Sequence, residues 1–295
     1  MSTPSRPRPA EPRLPTHISH SARETLERCA RSYFLKYLTQ APRRPALWLA
    51  GGSAVHETTE AYDRLSFHGG PSMWDARKTR EAWKLCFDLQ LDKLREAEPN
   101  ENIWRKSASE GDIDAWRRAG LGFVQAYIDW RERSPWEIWT TPDGEPAIEL
   151  EVSGRLPGCP VEIKAFLDRV FWDPLLEVPW ILDLKTSKKP PKTAAQFQTY
   201  AALVEVKYGV KISHGVPFMN RRAALGNPFD LSGVTPKSVG AVYGAAWAQV
   251  QRGDFPANGF PNNCFICDVQ AACALQNGPL APQFDPDHPN YPPPF

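Results

Sequence analysis

Asp183 and Lys185 stand two residues apart in WILDLKTSKK, residues 180–189, directly after an apolar run. On a strand, alternation sends both charged side chains to one face and Leu184 to the other. Charges that close to a core need partners, because an unpaired buried charge is very costly. Taken alone, the pattern also describes a structural ion pair at a strand end. Asp168 lies in KAFLDRV, late in the preceding strand-like segment, so adjacent strands bring a second carboxylate to the same place. Two carboxylates held together repel each other unless a cation lies between them. Mg2+ and similar hard ions suit such a site, with few carboxylates, several waters and a substrate phosphate completing the shell. Lys185 would face the same cavity, where it could hold a phosphate oxygen or orient an attacking water.

Thiols form a second group. Cys264, Cys267 and Cys273 make a C-x2-C-x5-C run. C-x2-C is a common metal-binding spacing, since the short loop lets two thiolates converge on one ion or cluster. Three thiolates leave a fourth ligand to be found. Cys86 and Cys159 have no partners at such spacing and read as ordinary residues.

The chain that must position these groups has 295 residues, 42% of them hydrophobic, ample for a core. Lys and Arg number 35 against 34 Asp and Glu, so an electropositive groove, if present, is local. The start, MSTPSRPRPAEPRLPTH, lacks the apolar segment of a secretory signal, and no run of 18 apolar residues suggests a membrane span. These features point to a cytoplasmic protein whose six cysteines are reduced or ligating. Residues 1–17 and 280–295 are proline-rich and read as extended or disordered tails, with PPPF a polyproline-type ligand at most.

Residues 19–38 open with Ser19 or Ser21 as an N-cap and carry Leu26, Ala30, Tyr33, Phe34 and Tyr37 at helical spacing. Residues 51–66, 73–98 and 112–132 are also helical in period, so the first half is mostly α. From about residue 146, AIELEVSGRL, VEIKAFLDRVFW and WILDLKTS read as strands separated by turn-like segments. A helix at 193–208, the strand KISHGVPFMN and a helix at 236–252 follow. This order predicts an α/β core, a mixed sheet covered by helices, without internal repeats. The expected organisation is one domain over 18–279, comprising a helical part at 18–140, an α/β core at 141–255 and a cysteine segment at 256–279.

Asp168 followed by Asp183-Leu184-Lys185 on the next strand resembles the core of the PD-(D/E)XK nucleases. Two further pieces are similar to the RecB-like branch of that superfamily. Gly51-Gly52-Ser53-Ala54-Val55-His56 looks like its glycine-then-histidine segment, whose histidine is an additional metal ligand. Gln196 and Tyr200 look like its Q-x3-Y motif on the helix after the lysine strand; residues four apart share one helical face. The chain departs from the pattern in having no proline before Asp168 and Ala165 where glycine is common. The resemblance covers about residues 19–275.

The resemblance implies a restriction-endonuclease-like fold and a Mg2+- or Mn2+-dependent DNA exonuclease. Asp168, Asp183, His56 and the Leu184 carbonyl would hold the metal, Lys185 would position the water, and Gln196 and Tyr200 would steady Lys185 and the DNA backbone. Glu60, one turn beyond His56, is a candidate to join the acidic site or else part of a solvated helix face. In iron–sulfur members of this branch a fourth thiolate comes from the helix before the glycine–histidine segment, where Cys29 stands. Cys29, Cys264, Cys267 and Cys273 would then hold a [4Fe–4S] cluster that staples the N- and C-terminal segments; Zn2+ on the same thiolates is the alternative. Lys188, Lys189, Lys192, Arg221 and Arg222 are candidate strand contacts, and exposed tryptophans candidate stacking platforms, although most of the tryptophans should be core. The implied substrate is DNA, single-stranded or with free ends, in recombination, repair, phage replication or CRISPR-related processing. No helicase P-loop occurs in the sequence, so ATP-driven unwinding would fall to a helicase, recombinase or CRISPR partner. A non-catalytic DNA-binding accessory protein and a nuclease subunit active only with a helicase or CRISPR partner are the competing readings, and the intact Asp/Asp/Lys set argues against the first.

Overall fold

The computed structural model describes residues 13–70, 73–105 and 111–291; most of the proline-rich start and the PPPF end lie outside them. The chain divides into two compact units. One comprises Pro45–Leu156 and Lys164–Val239, the other the described residues of Met1–Arg44, Pro157–Ile163 and Gly240–Phe295. The first helices group with the cysteine segment, where Tyr33 and Phe34 lie against Phe255, and the later helices group with the sheet.

Strand β1 (His17–Ser19) and helices α1 (His20–Arg28) and α2 (Ala30–Tyr33) open the chain. Helices α3 (Leu47–Gly69), α4 (Ala76–Ala97) and α5 (Ile113–Arg133) form a layer in the sheet-bearing unit. The Asp75 side chain caps α4 by accepting from the Lys78 N–H at 2.7 Å, and Asp112 does the same for α5 through the Ala115 N–H at 2.8 Å. Each such cap typically contributes about 1 kcal/mol. Strands β2 (Glu137–Ile138), β3 (Ile148–Gly154), β4 (Glu162–Asp173) and β5 (Val178–Lys185) precede α6 (Ala195–Tyr208), and β6 (His214–Met219), β7 (Ala224–Leu225) and β8 (Phe229–Asp230) follow it.

The sheet is mixed. β4 runs antiparallel to β5, β5 runs parallel to β6 across the α6 crossover, β2 and β3 also pair with β4, and β7 and β8 pair with β6. A parallel pair requires a crossover, and α6 supplies it. Its opposite face is covered by Val55 and Tyr62 of α3, Phe87 and Leu91 of α4, and Val124 and Tyr127 of α5, which close on Phe171, Leu182, Leu184 and Phe218. Alternation along β5 thus sends Leu182 and Leu184 into the core and turns Asp183 and Lys185 toward α6. A Cβ on Gly51 would run into the Trp116 indole, so α3 can approach α5 this closely only with glycine there. Trp83, Trp104 and Trp116 are core residues, as most tryptophans were expected to be.

Arg169 is fully buried beside the site strand and is neutralised by Asp63, whose Oδ2 accepts from its Nε at 2.5 Å and from the Tyr127 hydroxyl at 2.6 Å. Burial works against the guanidinium charge, but Asp63 and Glu149 hold its pKa well above the ordinary arginine value. Asp63→Ala should cost about 3 kcal/mol, because it removes the closer partner of a buried guanidinium and leaves Glu149, at 3.2 Å, as its remaining carboxylate. Urea unfolding of the variant against wild type measures this directly.

In the second unit, Ser19 caps α1 as predicted, accepting from the Ala22 N–H at 3.2 Å. The single helix expected over 19–38 is broken. Cys29 adopts an extended backbone (φ −162°, ψ 107°), α2 restarts at Ala30, and Phe34–Leu38 winds as a π-helix. Cys29 thereby leaves the helical register, with its Sγ accepting from the Asn258 N–H at 3.4 Å. α7 (Pro236–Gln251), α8 (Pro261–Phe265) and α9 (Ala281–Phe284) complete the helices. The tail expected from residue 280 is structured at its start: Ala281 is buried, and Asp285, 1% exposed, pairs with Arg31 at 2.9 Å. Proline-rich composition yields there to a buried charge pair.

Candidate active site

The antiparallel ladder of β4 and β5 ends at Arg169 and Leu182, and Asp168 and Asp183 are the residues next to that last pair on each strand. Both carboxylates are buried. Asp168 Oδ2 accepts from the Leu184 N–H at 2.6 Å, and its Oδ1 lies 3.4 Å from His56 Nδ1. His56 Nε2 meets the Leu184 carbonyl at 3.2 Å. The ring therefore sits between the acids and the backbone of β5, and Leu184 presents its N–H and carbonyl to the site while its side chain packs the core.

A closed polar ring adjoins this pair. Lys185 Nζ is 2.6 Å from Asp183 Oδ2 and donates to Gln196 Oε1 at 3.0 Å. Gln196 Nε2 donates in turn to Asp183 Oδ1 at 2.9 Å and to the Tyr200 hydroxyl at 2.7 Å. The ammonium has only donors and the carboxylate only acceptors, which fixes the amide orientation. Tyr200 is buried, so it braces Gln196 from behind rather than reaching outward.

Burial sets the electrostatics. It drives the Asp183 carboxyl up to about 6, with the charge of Asp168 pushing the same way and Lys185 opposing both. Burial raises Asp168 as well, but the attraction of His56 and the Leu184 N–H outweighs it and holds Asp168 below the usual carboxylate value. Burial disfavours charge on His56, yet Asp168 and Glu149 push its pKa up to about 10. Burial, then Asp183 and Asp168, raise the Tyr200 phenol and keep it neutral.

Glu149 is the member that sequence reasoning missed. Its Oε1 lies 3.7 Å from His56 Nδ1 and 3.2 Å from Arg169 Nη1. It heads β3 with φ +47°, a left-handed conformation uncommon for a residue with a side chain. The E-x-E pattern in AIELEV marks an acidic strand but carries no sign of that backbone turn. Glu60 instead pairs with Arg64 at 2.7 Å along α3, away from the cluster. Among the described residues, the group of three or more metal-binding side chains with donor atoms within 4.8 Å of one another is His56, Glu149 and Asp168. Carboxylates, an imidazole and a backbone carbonyl are donors that suit Mg2+ or Mn2+.

The basic candidates frame one end of the sheet. Because β5 and β6 are parallel, Thr186–Lys189 and Asn220–Arg222 both leave their carboxyl-terminal ends. Lys188, Lys189, Lys192 and Arg222 are exposed. Arg221 is half-buried, donating from Nε to the Thr186 carbonyl at 2.6 Å and lying over Phe123 and Trp116.

In the other unit, Cys29, Cys264, Cys267 and Cys273 line one pocket, open in part to solvent, together with Ser32 and Asn258. Burial, then the nearby thiols of Cys267 and Cys29, push the Cys264 thiol up. The four are spaced more widely than the His56 cluster. Cys86 and Cys159 lie apart from them, Cys159 donating to the Val161 carbonyl at 3.3 Å. No helix of the described residues is long and apolar enough to cross a membrane.

A protein-family model described as the PD-(D/E)XK nuclease superfamily matches residues 17–274. The chain is 29% identical to the Gene 69 protein of Mycobacterium phage D29 over 257 residues, covering 84% of this chain and 93% of the relative. It is 27% identical to the Gene 69 protein of Mycobacterium phage L5 over 276 residues, covering 84% and 92%. The match covers nearly the whole chain: the protein belongs to the PD-(D/E)XK nuclease superfamily, a family of hydrolytic, divalent-metal nucleases, and His56, Glu149 and Asp168 are grouped as a metal site would require.

Proposed function

We propose that the chain is a DNA exonuclease of the RecB-like, iron–sulfur branch, acting on single strands or free ends in phage DNA metabolism. The observation that carries this reading is the Asp168–Asp183 pair on adjacent strands, with Lys185 held on Asp183 by Gln196. Asp168, Asp183, His56, Glu149 and the Leu184 carbonyl would hold a divalent cation, which would polarise a phosphate oxygen and lower the pKa of a bound water. Lys185 keeps its ammonium beside Asp183, where it meets a scissile phosphate and stabilises charge as it develops. Gln196 fixes the direction of that ammonium, and Tyr200 fixes Gln196. Asp183 lies 2.6 Å from the Lys185 ammonium and is its partner. Lys188, Lys189, Lys192, Arg221 and Arg222 provide phosphate contacts along the strand, a salt-sensitive contribution. A helicase or recombinase partner would deliver the strand.

Covalently closed single-stranded circles distinguish exonuclease from endonuclease. Linear DNA of the same sequence should be degraded with Mn2+ while the circle persists; a circle cut at a similar rate contradicts the exonuclease reading. Glu149→Gln should weaken Mn2+ binding by about 10–100-fold, the scale on which groups around a metal act. Isothermal titration of the DNA-free protein reads this.

The four thiols line one pocket, and this is the observation that supports reading them as ligands of one metal centre, a [4Fe–4S] cluster or Zn2+. Cys29→Ser should lose the metal although Cys29 is more than two hundred residues from the others in sequence. Anaerobic purification with iron, sulfide and zinc analysis decides between the cluster and Zn2+.

A further inference from the structure

Beyond the four thiols, the segment after Cys273 is tied to them by contacts that neither the nuclease chemistry nor the cysteine spacing requires. Asp285 is 1% exposed and uses both oxygens. Its Oδ1 accepts from Arg31 Nη1 at 2.9 Å, and its Oδ2 accepts from the Ala274 N–H at 2.7 Å. Arg31 stands two residues after Cys29, and Ala274 directly follows Cys273. One buried carboxylate thus joins the chain beside the N-terminal thiol to the chain beside the last C-terminal one.

The neighbouring contacts strengthen this connection. Arg31 also reaches Asp287 Oδ2 at 2.5 Å, and the Asp287 N–H returns to Asp285 Oδ1 at 3.1 Å. The Leu280 N–H donates to the Ala271 carbonyl at 2.8 Å, and the Gly278 N–H to the Cys273 carbonyl at 3.0 Å. A Cβ on Gly278 would collide with the Ala271 and Gln270 carbonyls, so only glycine lets the segment fold back so tightly. Lys36 and Asp268, at 2.9 Å, tie the same N-terminal helices to the residue after Cys267.

An isolated carboxylate–guanidinium pair is poor evidence for stability, since desolvation cancels much of the attraction. Here the carboxylate also satisfies a backbone N–H beside Cys273, and this is where geometry matters more than energy. Metal sites depend on outer groups that fix the direction of their ligands. We propose that Arg31 and Asp285 are positioning residues of the four-thiol site: the C-terminal segment clasps Cys273 to Cys29 and sets the distance across which a metal centre is held. This rests on the reading of the four thiols as a metal site.

The test uses the full chain purified anaerobically as wild type, Asp285→Asn, Asp285→Glu and Arg31→Lys. Metal content is followed by iron and zinc analysis, and metal release by absorbance after adding a chelator, with folding followed by circular dichroism. Asp285→Asn should release metal about 10–100-fold faster while remaining folded at the working temperature, with Asp285→Glu intermediate because it retains the charge. The nuclease residues lie elsewhere, so Mn2+ binding at His56 and Asp168 should be unchanged in all variants. A folded Asp285→Asn protein that releases metal at the wild-type rate overturns the clasp. Should Asp285→Asn fail to fold, Arg31→Lys, which keeps the charge but loses the paired donors, carries the same comparison. A wild type containing neither iron nor zinc removes the four-thiol reading and the clasp together, and leaves the acidic site untouched.

Discussion

Lys185→Ala is expected to lower DNA cleavage by about 10²–10³-fold, the usual loss when one preorganised group that stabilises transition-state charge is removed. Binding should hardly change. Affinity for a nucleic acid comes from many phosphate contacts, and losing one lysine lowers the salt slope by at most about 1. The wild-type geometry gives the reason for the separation. Lys185 is held at 2.6 Å from Asp183 Oδ2 and at 3.0 Å from Gln196 Oε1, so its ammonium is ordered before substrate arrives. An ordered charge contributes to the reaction without reorganising at the moment of bond cleavage. Cleavage and fluorescence-anisotropy binding on the same preparations measure the two effects. Parallel losses in both would make Lys185 a binding residue only.

Asp183→Asn should be as damaging through a different route. The amide keeps the volume and can still contact Gln196, but it removes one of the negative charges that retain the cation and leaves Lys185 without its ion pair. We expect cleavage at low millimolar Mg2+ to fall by at least about 10³-fold, near the upper end of what single groups in preorganised sites contribute. High Mn2+ should restore part of it, because mass action repopulates a weakened site. The same Mn2+ concentrations should do nothing for Lys185→Ala, whose cation ligands are intact. A metal titration of both variants separates the roles. Equal rescue would mean that the lysine acts only by shaping the metal site.

Much of this arrangement was legible in the sequence where chemistry and periodicity coincide. The period-2 runs around Asp168 and Asp183 gave the strands, and the charges interrupting an apolar run marked the face that leaves the core. The α6 helix and its four-residue spacing placed Gln196 and Tyr200 on one side, although not their contact with Asp183 and Lys185, which depends on how α6 packs on β5. Glu149 was hidden for a physical reason: its side chain reaches His56 through a left-handed backbone that a glutamate adopts only when its surroundings impose it. The break at Cys29 was equally silent, since Leu26, Ala30 and Tyr33 keep helical spacing across it. Composition misled at the C-terminal end, where prolines mark a tail but Asp285 finds a buried partner in Arg31, remote in sequence.

The most direct test of the central claim is cleavage of end-labelled linear DNA by the purified wild type and by an Asp168→Asn, Asp183→Asn double variant, each with Mg2+, Mn2+ or chelator. The account predicts degradation by the wild type only when a divalent cation is present, and none by the double variant under any condition, with circular dichroism showing both folded. Cation-independent cutting by the wild type, or wild-type rates from the folded double variant, would contradict it, and the acids and lysine on β4 and β5 would then be a buried ion network without chemistry.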